Sequence, residues 1–149
     1  TASNLLATPA NLSQTSLEQM LIQIRSAVDN NGKKIRLVPR QLIVAPGNLF
    51  QAEVLLKSVL RTGTANNDIN PIKSIGLLPE GASVISRLTS ATNWWVQTDA
   101  PEGMKLLMRR ALEKTMEGDF ETDSMRYKAT ERYQVGWTDW RSMYGTPGV

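Results

Sequence analysis

Apolar and polar residues alternate between residues 125 and 137, in the last quarter of the chain. One side of this alternation carries Met125, Tyr127, Ala129, Tyr133, Val135 and Trp137, with Glu131 as its exception. The other side carries Arg126, Lys128, Thr130, Arg132 and Gln134. Because successive side chains of a β-strand point to opposite faces, this period predicts one long, half-buried strand. At about 3.3 Å per residue it would span roughly 40 Å, longer than most strands.

Two amphipathic helices are predicted in the first half of the chain. The first begins at Thr15, which forms a capping box with Glu18, and it ends at Gly32. Its apolar stripe consists of Leu17, Met20, Leu21, Ile24 and Val28. The second begins at Asn48, whose side chain can cap it, and it ends at Gly63. Its apolar stripe consists of Leu49, Ala52, Leu55, Leu56, Val59 and Leu60.

Short apolar runs predict further strands. Upstream they lie at residues 35–38, 42–45 and 73–78, while residues 82–88 fit either a helix or a strand. Downstream, residues 94–98 and 104–111 are predicted strands joined by a hairpin at Asp99–Gly103. The long strand needs a neighbour, and either downstream strand would pair with it in antiparallel fashion. Capped helices followed by long strands predict an α+β fold.

The composition changes near residue 92. The residues after this point hold all four tryptophans and all three tyrosines. We therefore expect a lead-in segment over residues 1–13, one lobe over residues 14–92 and a second over residues 93–149. Aromatic residues spaced two apart usually pack on a sheet face. The predicted aromatic core consists of Trp94, Trp95, Tyr127, Tyr133 and Trp137.

Most catalytic chemistry is excluded by the composition, since the chain has no histidine and no cysteine. This removes Ser-His-Asp and Cys-His nucleophiles and nearly all zinc sites. Glycine patterns that cradle phosphates are absent as well. Asp119, Glu121 and Asp123 alternate like calcium ligands, but Ser124 and Thr130 stand where an EF-hand needs Gly and Glu. We expect no cofactor and no metal, and an enzyme is the weakest class.

Charged residues form clusters of opposite sign within a net charge of +3. The basic cluster consists of Lys33, Lys34, Arg36 and Arg40. The acidic cluster consists of Glu113, Glu117, Asp119, Glu121 and Asp123. One interpretation is a solvated surface of mixed charge. The other is that the clusters meet across a subunit boundary and set its register, with Asp119, Glu121 and Asp123 opposite the basic cluster.

Several segments, taken in order, resemble a known protein family. Upstream stand Pro39, Leu42-Ile43-Val44 and Pro46 before a helix with Ala52. The tryptophan-led strand from Trp94 follows, and then a basic strand that ends at Arg109-Arg110. Last come the acidic loop 119–123 and Arg132-Tyr133-x-x-Gly136, which runs into residues 137–141. In this order they look like the C-terminal part of tailed-bacteriophage major capsid proteins, in particular the Mu-like head-subunit type.

The resemblance implies an α+β major-capsid fold. Residues 14–92 look like the axial lobe, helices on a small sheet at the capsomer centre. Residues 93–149 look like the peripheral lobe with long antiparallel strands. The loop with Thr64, Asn66, Asn67 and Asp68 would lie near the capsomer axis. The family's N-terminal arm, extended loop and spine helix have no counterpart here, so we expect a C-terminal fragment.

The resemblance also implies a function, a structural subunit that assembles into pentamers and hexamers around a phage genome. Its partners would be copies of itself, then portal, scaffold or decoration proteins, with packaged DNA nearby but not bound by sequence. We expect a protein made in the host cytoplasm and located in the virion, with no membrane contact, since no apolar run approaches about 18 residues.

Two alternatives stay open beside this function. One is an enzyme-loading nanocompartment shell of the same fold. A small nucleic-acid-binding module would stack bases on the aromatic residues beside the arginines. The charge of +3 is mild for a groove that follows phosphates.

Overall fold

The computed structural model of the chain describes residues 3–61 and 68–149. Its helices and strands are α1 Gln14–Arg25, β1 Pro39–Val44, α2 Leu49–Lys57, α3 Pro71–Ile75, β2 Ala82–Val84, β3 Trp94–Thr98, β4 Met104–Asp119, β5 Ser124–Trp137 and β6 Met143–Thr146. Short 3₁₀ turns at Pro46–Asn48 and Trp140–Ser142 precede α2 and β6. This mixture confirms the predicted combination of helices and strands.

The chain folds into two units, and each unit is held together by contacts among its own residues. The core unit comprises Thr1–Pro101 with Trp140–Val149, and the ribbon unit comprises Glu102–Asp139. A division at residue 92 would separate β3 from β1, although the two strands pair in one sheet of the core unit. The division of the chain into an axial lobe and a peripheral lobe remains a prediction.

The core unit is built on a sheet in which the described strands have the order β2-β1-β3-β6. β1 pairs parallel with β2 and antiparallel with β3, and β3 pairs antiparallel with β6. Along β3, Trp94, Val96 and Thr98 are buried while Gln97 is exposed, as the alternation of a strand requires. β1 is buried at three consecutive positions, Leu42–Val44, so side chains on both of its faces are covered.

One hydrophobic cluster joins the helices to this sheet. α1 contributes Leu17, Met20 and Ile24, all fully buried, which confirms the predicted apolar stripe at these positions. α2 contributes Ala52 and Leu55 from the stripe predicted for it. Burial of a large aliphatic side chain stabilises the fold by about 1.5–3 kcal/mol, so these positions fix the helices on the sheet.

The ends of the predicted helices need correction. The capping box of α1 is formed by Ser13 and Ser16, and Thr15 lies inside the helix. Ser13 has extended backbone and accepts from the Ser16 N–H, so the helix begins before Thr15. It ends at Arg25 and not at Gly32. Asn48 makes no capping hydrogen bond to α2; it ends the 3₁₀ turn that runs directly into this helix, and its amide donates to the Ala91 carbonyl. The predicted end at Gly63 lies outside the described residues.

Residues 73–78, predicted as a strand, belong partly to helix α3 instead. The side chain of Asn70 accepts from the Ile72 N–H, and Pro71 occupies the first helical position. Gly76 then ends the helix in the left-handed region with a φ of 64°. Local capping decides the structure here, because a short apolar run is compatible with a helix as well as a strand.

The predicted strands 94–98, 104–111 and 125–137 are all present, and β4 extends further to Asp119. β4 and β5 pair antiparallel, which confirms the expected neighbour for the long strand. The hairpin predicted at Asp99–Gly103 is wrong, because β3 pairs with β1 and β6 while β4 pairs with β5. Residues 35–38 are not a strand either, and β1 begins at Pro39, where proline's missing N–H is tolerated.

The aromatic residues do not share one core. Trp94 is fully buried and Trp95 is partly buried in the sheet of the core unit. Tyr127, Tyr133 and Trp137, predicted as core residues, are 75%, 58% and 68% exposed. Alternation predicts which side chains share a face of a strand, but it does not say that the same chain covers that face.

Candidate functional site

The ribbon unit is a pair of long antiparallel strands. The pairing runs from Met104 opposite Trp137 to Asp119 opposite Ser124. Since a strand rises about 3.4 Å per residue, the 16 residues of β4 span roughly 50 Å. Among the described strands, β4 and β5 form a sheet of their own. An isolated pair of strands is marginally stable in water, so a ribbon of this length is typical of a surface that other elements cover.

Polar contacts define the turn that joins the two strands. The Arg126 guanidinium binds the Asp119 carboxylate at 2.8 Å, and that carboxylate also accepts from the Glu121 N–H at 3.3 Å. The hydroxyls of Thr122 and Ser124 are 2.6 Å apart. Asp123 has a φ of 49°, in the left-handed region where Asp is tolerated. The turn therefore holds its acidic residues in a defined conformation.

The register of the ribbon shifts between Met108 and Arg110, and again between Arg110 and Glu113. At the first shift Arg109 is an extra residue on β4, and at the second two residues of β4 face one residue of β5. A shift of one residue exchanges the two faces of a strand. The second shift restores the original alternation, so β4 has the same apolar face at both ends.

One face of the ribbon, which we call the apolar face, joins apolar residues of both strands. Its exposed members are Met104, Leu106, Met108, Met116, Met125, Tyr127, Tyr133, Val135 and Trp137. Lys114 and Glu131 are its polar exceptions on β4 and β5. Each exposed member has more than half of its surface in solvent, from 52% at Met108 to 75% at Tyr127. A continuous exposed apolar face of this kind usually marks an interaction surface.

The opposite face of the ribbon, the charged face, carries most of the ionisable side chains. Going towards the turn it holds Lys105, Gln134, Arg110, Arg132, Glu113, Lys128, Glu117, Arg126 and Asp119. Leu107 is its apolar exception. Lys105 forms an ion pair with Glu102. Arg110 lies directly opposite Arg132, which places two positive charges side by side on neighbouring strands. Like charges in this position destabilise a strand pair.

The predicted interface residues are divided between the two units. Asp119, Glu121 and Asp123 belong to the ribbon unit. The basic residues Lys33, Lys34, Arg36 and Arg40 belong to the core unit, and all are exposed. Their meeting across a subunit boundary stays a prediction.

The predicted axis loop is described only at one residue. Thr64, Asn66 and Asn67 lie outside the described residues. Asp68 is described, and its carbonyl accepts from the Arg61 N–H at 2.7 Å.

Sequence reasoning missed the methionines and leucines of β4. Residues 104–111 were predicted as a basic strand, and their apolar positions were not linked to those of β5. The signal is present in the sequence, since Met104, Leu106, Met108, Leu112 and Met116 all occupy even positions. The two register shifts, which move Arg110 to the charged face and then restore the original alternation, are not visible in the sequence.

The core unit has an apolar cavity of about 400 Å³ between α1 and α3. Leu21, Ile22, Ile72, Ile75 and Leu77 line it, with Glu18 and Arg25 at the same site. Its mostly apolar lining suits an apolar side chain.

Two general findings concern the described residues. Residues 3–61 and 68–149 contain no group of acidic side chains able to hold a metal ion. No helix in this part of the chain has the length and apolar character needed to span a membrane.

A family model described as "Phage capsid protein" matches residues 1–145. The chain is similar to the crystal structure of a virus-like particle from Pyrococcus furiosus, at 10% identity and a TM-score of 0.48, over 95% of this chain and 55% of that one. No curated protein matches the sequence.

A second solved structure is a phage-related protein from Bordetella bronchiseptica RB50. It shares 13% identity and a TM-score of 0.51, over 89% of this chain and 48% of that one. The likeness shows a common fold. The chain spans about half the length of each of these two solved proteins.

Proposed function

Because the chain belongs to the phage capsid protein family, we propose that it is the C-terminal, shell-forming part of a tailed-phage major capsid protein of the Mu-like head-subunit type. Family membership confirms the prediction of a structural protein of a bacteriophage capsid and not an enzyme. Copies of the subunit assemble into pentamers and hexamers, and these enclose the genome.

The apolar face of the ribbon is the observation that carries this proposal. Met104, Met116, Tyr127, Val135 and Trp137 are each at least 60% exposed. Leaving so much apolar surface in water costs about 25 cal/mol per Å², and a shell subunit recovers this free energy when a neighbouring copy covers the face.

In this proposal the predicted lobes have separate tasks. Residues 14–92 belong to the axial lobe at the capsomer centre, with the loop that contains Asp68 near the axis. Residues 93–149 supply peripheral contacts, chiefly through β4 and β5. The predicted partners are copies of the same protein and, in the virion, portal, scaffold or decoration proteins. The protein is made in the host cytoplasm, and DNA is confined by the shell without sequence recognition.

The arrangement of the ribbon argues against the nucleic-acid-binding alternative. Single-stranded binding surfaces combine aromatic rings and basic side chains along one groove. Here Tyr127, Tyr133 and Trp137 lie on the apolar face, whereas Arg110 and Arg132 lie on the charged face. Bases stacked on the rings would therefore lie on the opposite side of the ribbon from these arginines.

Negative-stain microscopy and sedimentation velocity of the whole protein test the proposed function. We expect capsomer rings or closed shells at high protein concentration. A protein that stays monomeric under all assembly conditions would contradict the proposal. Shells that contain phage DNA, and not a cargo enzyme, would separate a capsid from a nanocompartment of the same fold.

A further inference from the structure

Three arginines and four acidic residues form clusters in different parts of the ribbon, although Glu113 lies beside the arginine pair on the charged face. Arg109, Arg110 and Arg132 cluster at the register shifts, in the middle of the ribbon. Four acidic residues, Glu117, Asp119, Glu121 and Asp123, lie at or beside the turn.

No ion pair within the described residues neutralises the arginine cluster. Arg110 and Arg132 are directly opposite each other, and among the described residues no carboxylate forms an ion pair with either. Both side chains are exposed. The like-charge pair therefore costs stability in the free subunit, and an acidic partner would remove this cost.

The turn has an excess of the opposite charge. Arg126 neutralises Asp119 at 2.8 Å. Glu121 and Asp123 are exposed and form no ion pair within residues 3–61 and 68–149. Thus two carboxylates at the turn are available to a cation from outside.

The turn and the arginine pair of one ribbon cannot meet. Arg110 and Asp119 lie on the same extended strand, at opposite ends of a segment that spans roughly 30 Å at about 3.3 Å per residue. Only a second ribbon can therefore bring these two groups together.

We propose that the acidic turn of one copy, through Glu121 and Asp123, docks on the Arg110–Arg132 pair of a neighbouring copy. This inference rests on the proposed function and names the surfaces that join two subunits. Charge complementarity identifies the partner as a second copy, since each ribbon carries both halves of the contact. The arginine pair takes the role that sequence analysis assigned to Lys33, Lys34, Arg36 and Arg40.

Charge reversal in the whole protein tests the contact. Arg110→Glu with Arg132→Glu keeps a like-charge pair at the same ribbon position, so repulsion within this pair is retained in the free variant subunit. We expect the protein concentration needed for capsomer assembly to rise at least about tenfold, since like charges would then face each other across the contact. Glu121→Arg with Asp123→Asn, which keeps a residue tolerated at the left-handed backbone of position 123, should have the same effect.

The combination of all four substitutions is the decisive variant. It restores opposite charges across the contact, so assembly should return to within about threefold of the unsubstituted protein. Lys34→Glu with Arg36→Glu is the matched control, because it makes the same change of charge in the core unit and should leave assembly unchanged. Circular dichroism of each variant verifies that the subunit is folded.

The outcomes separate this inference from the proposed function. If the unsubstituted protein assembles and the arginine variant assembles equally well, the contact is wrong while the shell function stands. If only the Lys34 and Arg36 variant fails, the basic cluster of the core unit is the partner, and the inference is overturned. If the unsubstituted protein never assembles, the proposed function itself fails.

Discussion

The indole nitrogen of Trp94 donates a hydrogen bond of 3.1 Å to the carbonyl oxygen of Ala10. The Ala10 N–H in turn donates to the Thr146 hydroxyl at 3.3 Å, and the Gly145 N–H donates to the Asn4 carbonyl at 3.0 Å. The first residues of the described chain are thus bonded to strands β3 and β6, which lie far from them in sequence.

Replacement of Trp94 by Phe should destabilise the core unit. The change leaves the Ala10 carbonyl without this donor, which costs about 1–3 kcal/mol when the group is buried, and the smaller ring leaves a cavity. Chemical denaturation of the subunit should show a lower free energy of unfolding. Trp95→Phe is the control, since Trp95 is only partly buried. Equal losses for the two variants would contradict the role of the hydrogen bond.

Substitution of Asn70, which lies in the loop before α3, should lower the stability of the core unit. It is buried, it caps α3, and its amide donates to the Leu55 and Ser58 carbonyls at 2.8 and 3.1 Å. Asn70→Ala removes all of these bonds and should lower the free energy of unfolding by about 2–4 kcal/mol.

The variant Asn70→Asp separates the two roles of this residue. Its carboxylate can still accept from the Ile72 N–H, but it cannot donate to the two carbonyls. If the cap dominated, this variant would be as stable as the unsubstituted subunit. We expect a clear loss, because a buried carboxylate facing two carbonyl oxygens is unfavourable. Thermal unfolding monitored by circular dichroism measures the difference.

The segment around α3 separates what the sequence could predict from what it could not. The apolar run 73–78 favoured a strand, while Asn70, Pro71 and Gly76 favoured a short helix, and the capping residues determined the structure. Capping is a local interaction, so these residues offered the correct signal. The burial of Asn70 against Leu55 is a long-range contact that no local pattern contains.

The ribbon was also predictable only in part, because a local pattern indicates a strand but not whether another element covers it. Period two identified the strand 125–137 and required a neighbour, which is β4. Burial was not predictable, because exposure of Tyr127 and Trp137 depends on whether another element covers their face. The pairing of Arg110 with Arg132 depends on two register shifts, and these arise from strand geometry rather than composition.

Gly145 should resist substitution, unlike glycines of the ribbon. It lies opposite Trp95, and an added Cβ would be 2.2 Å from the Trp95 Cδ1 atom. Gly145→Ala must displace this ring within the sheet, at a cost of about 1–3 kcal/mol in the free energy of unfolding. Gly118→Ala is the control, because no heavy atom lies within 4 Å of its added Cβ. A stable Gly145→Ala subunit in urea denaturation would contradict this contact.

A lysine on the apolar face should block assembly more than a lysine on the charged face. Val135 is 70% exposed on the apolar face, and its neighbour Gln134 is exposed on the charged face. Neither substitution buries a charge in the free subunit, so thermal midpoints should change little. In an assembly, Val135→Lys would place an unpaired ammonium in an apolar interface, which costs several kcal/mol, whereas Gln134→Lys would add a cation to a face that already carries Arg132. Sedimentation velocity should therefore show a large loss of capsomers for Val135→Lys alone. Equal assembly of the two variants would mean that no copy covers the apolar face, and the main support for the proposed function would be lost.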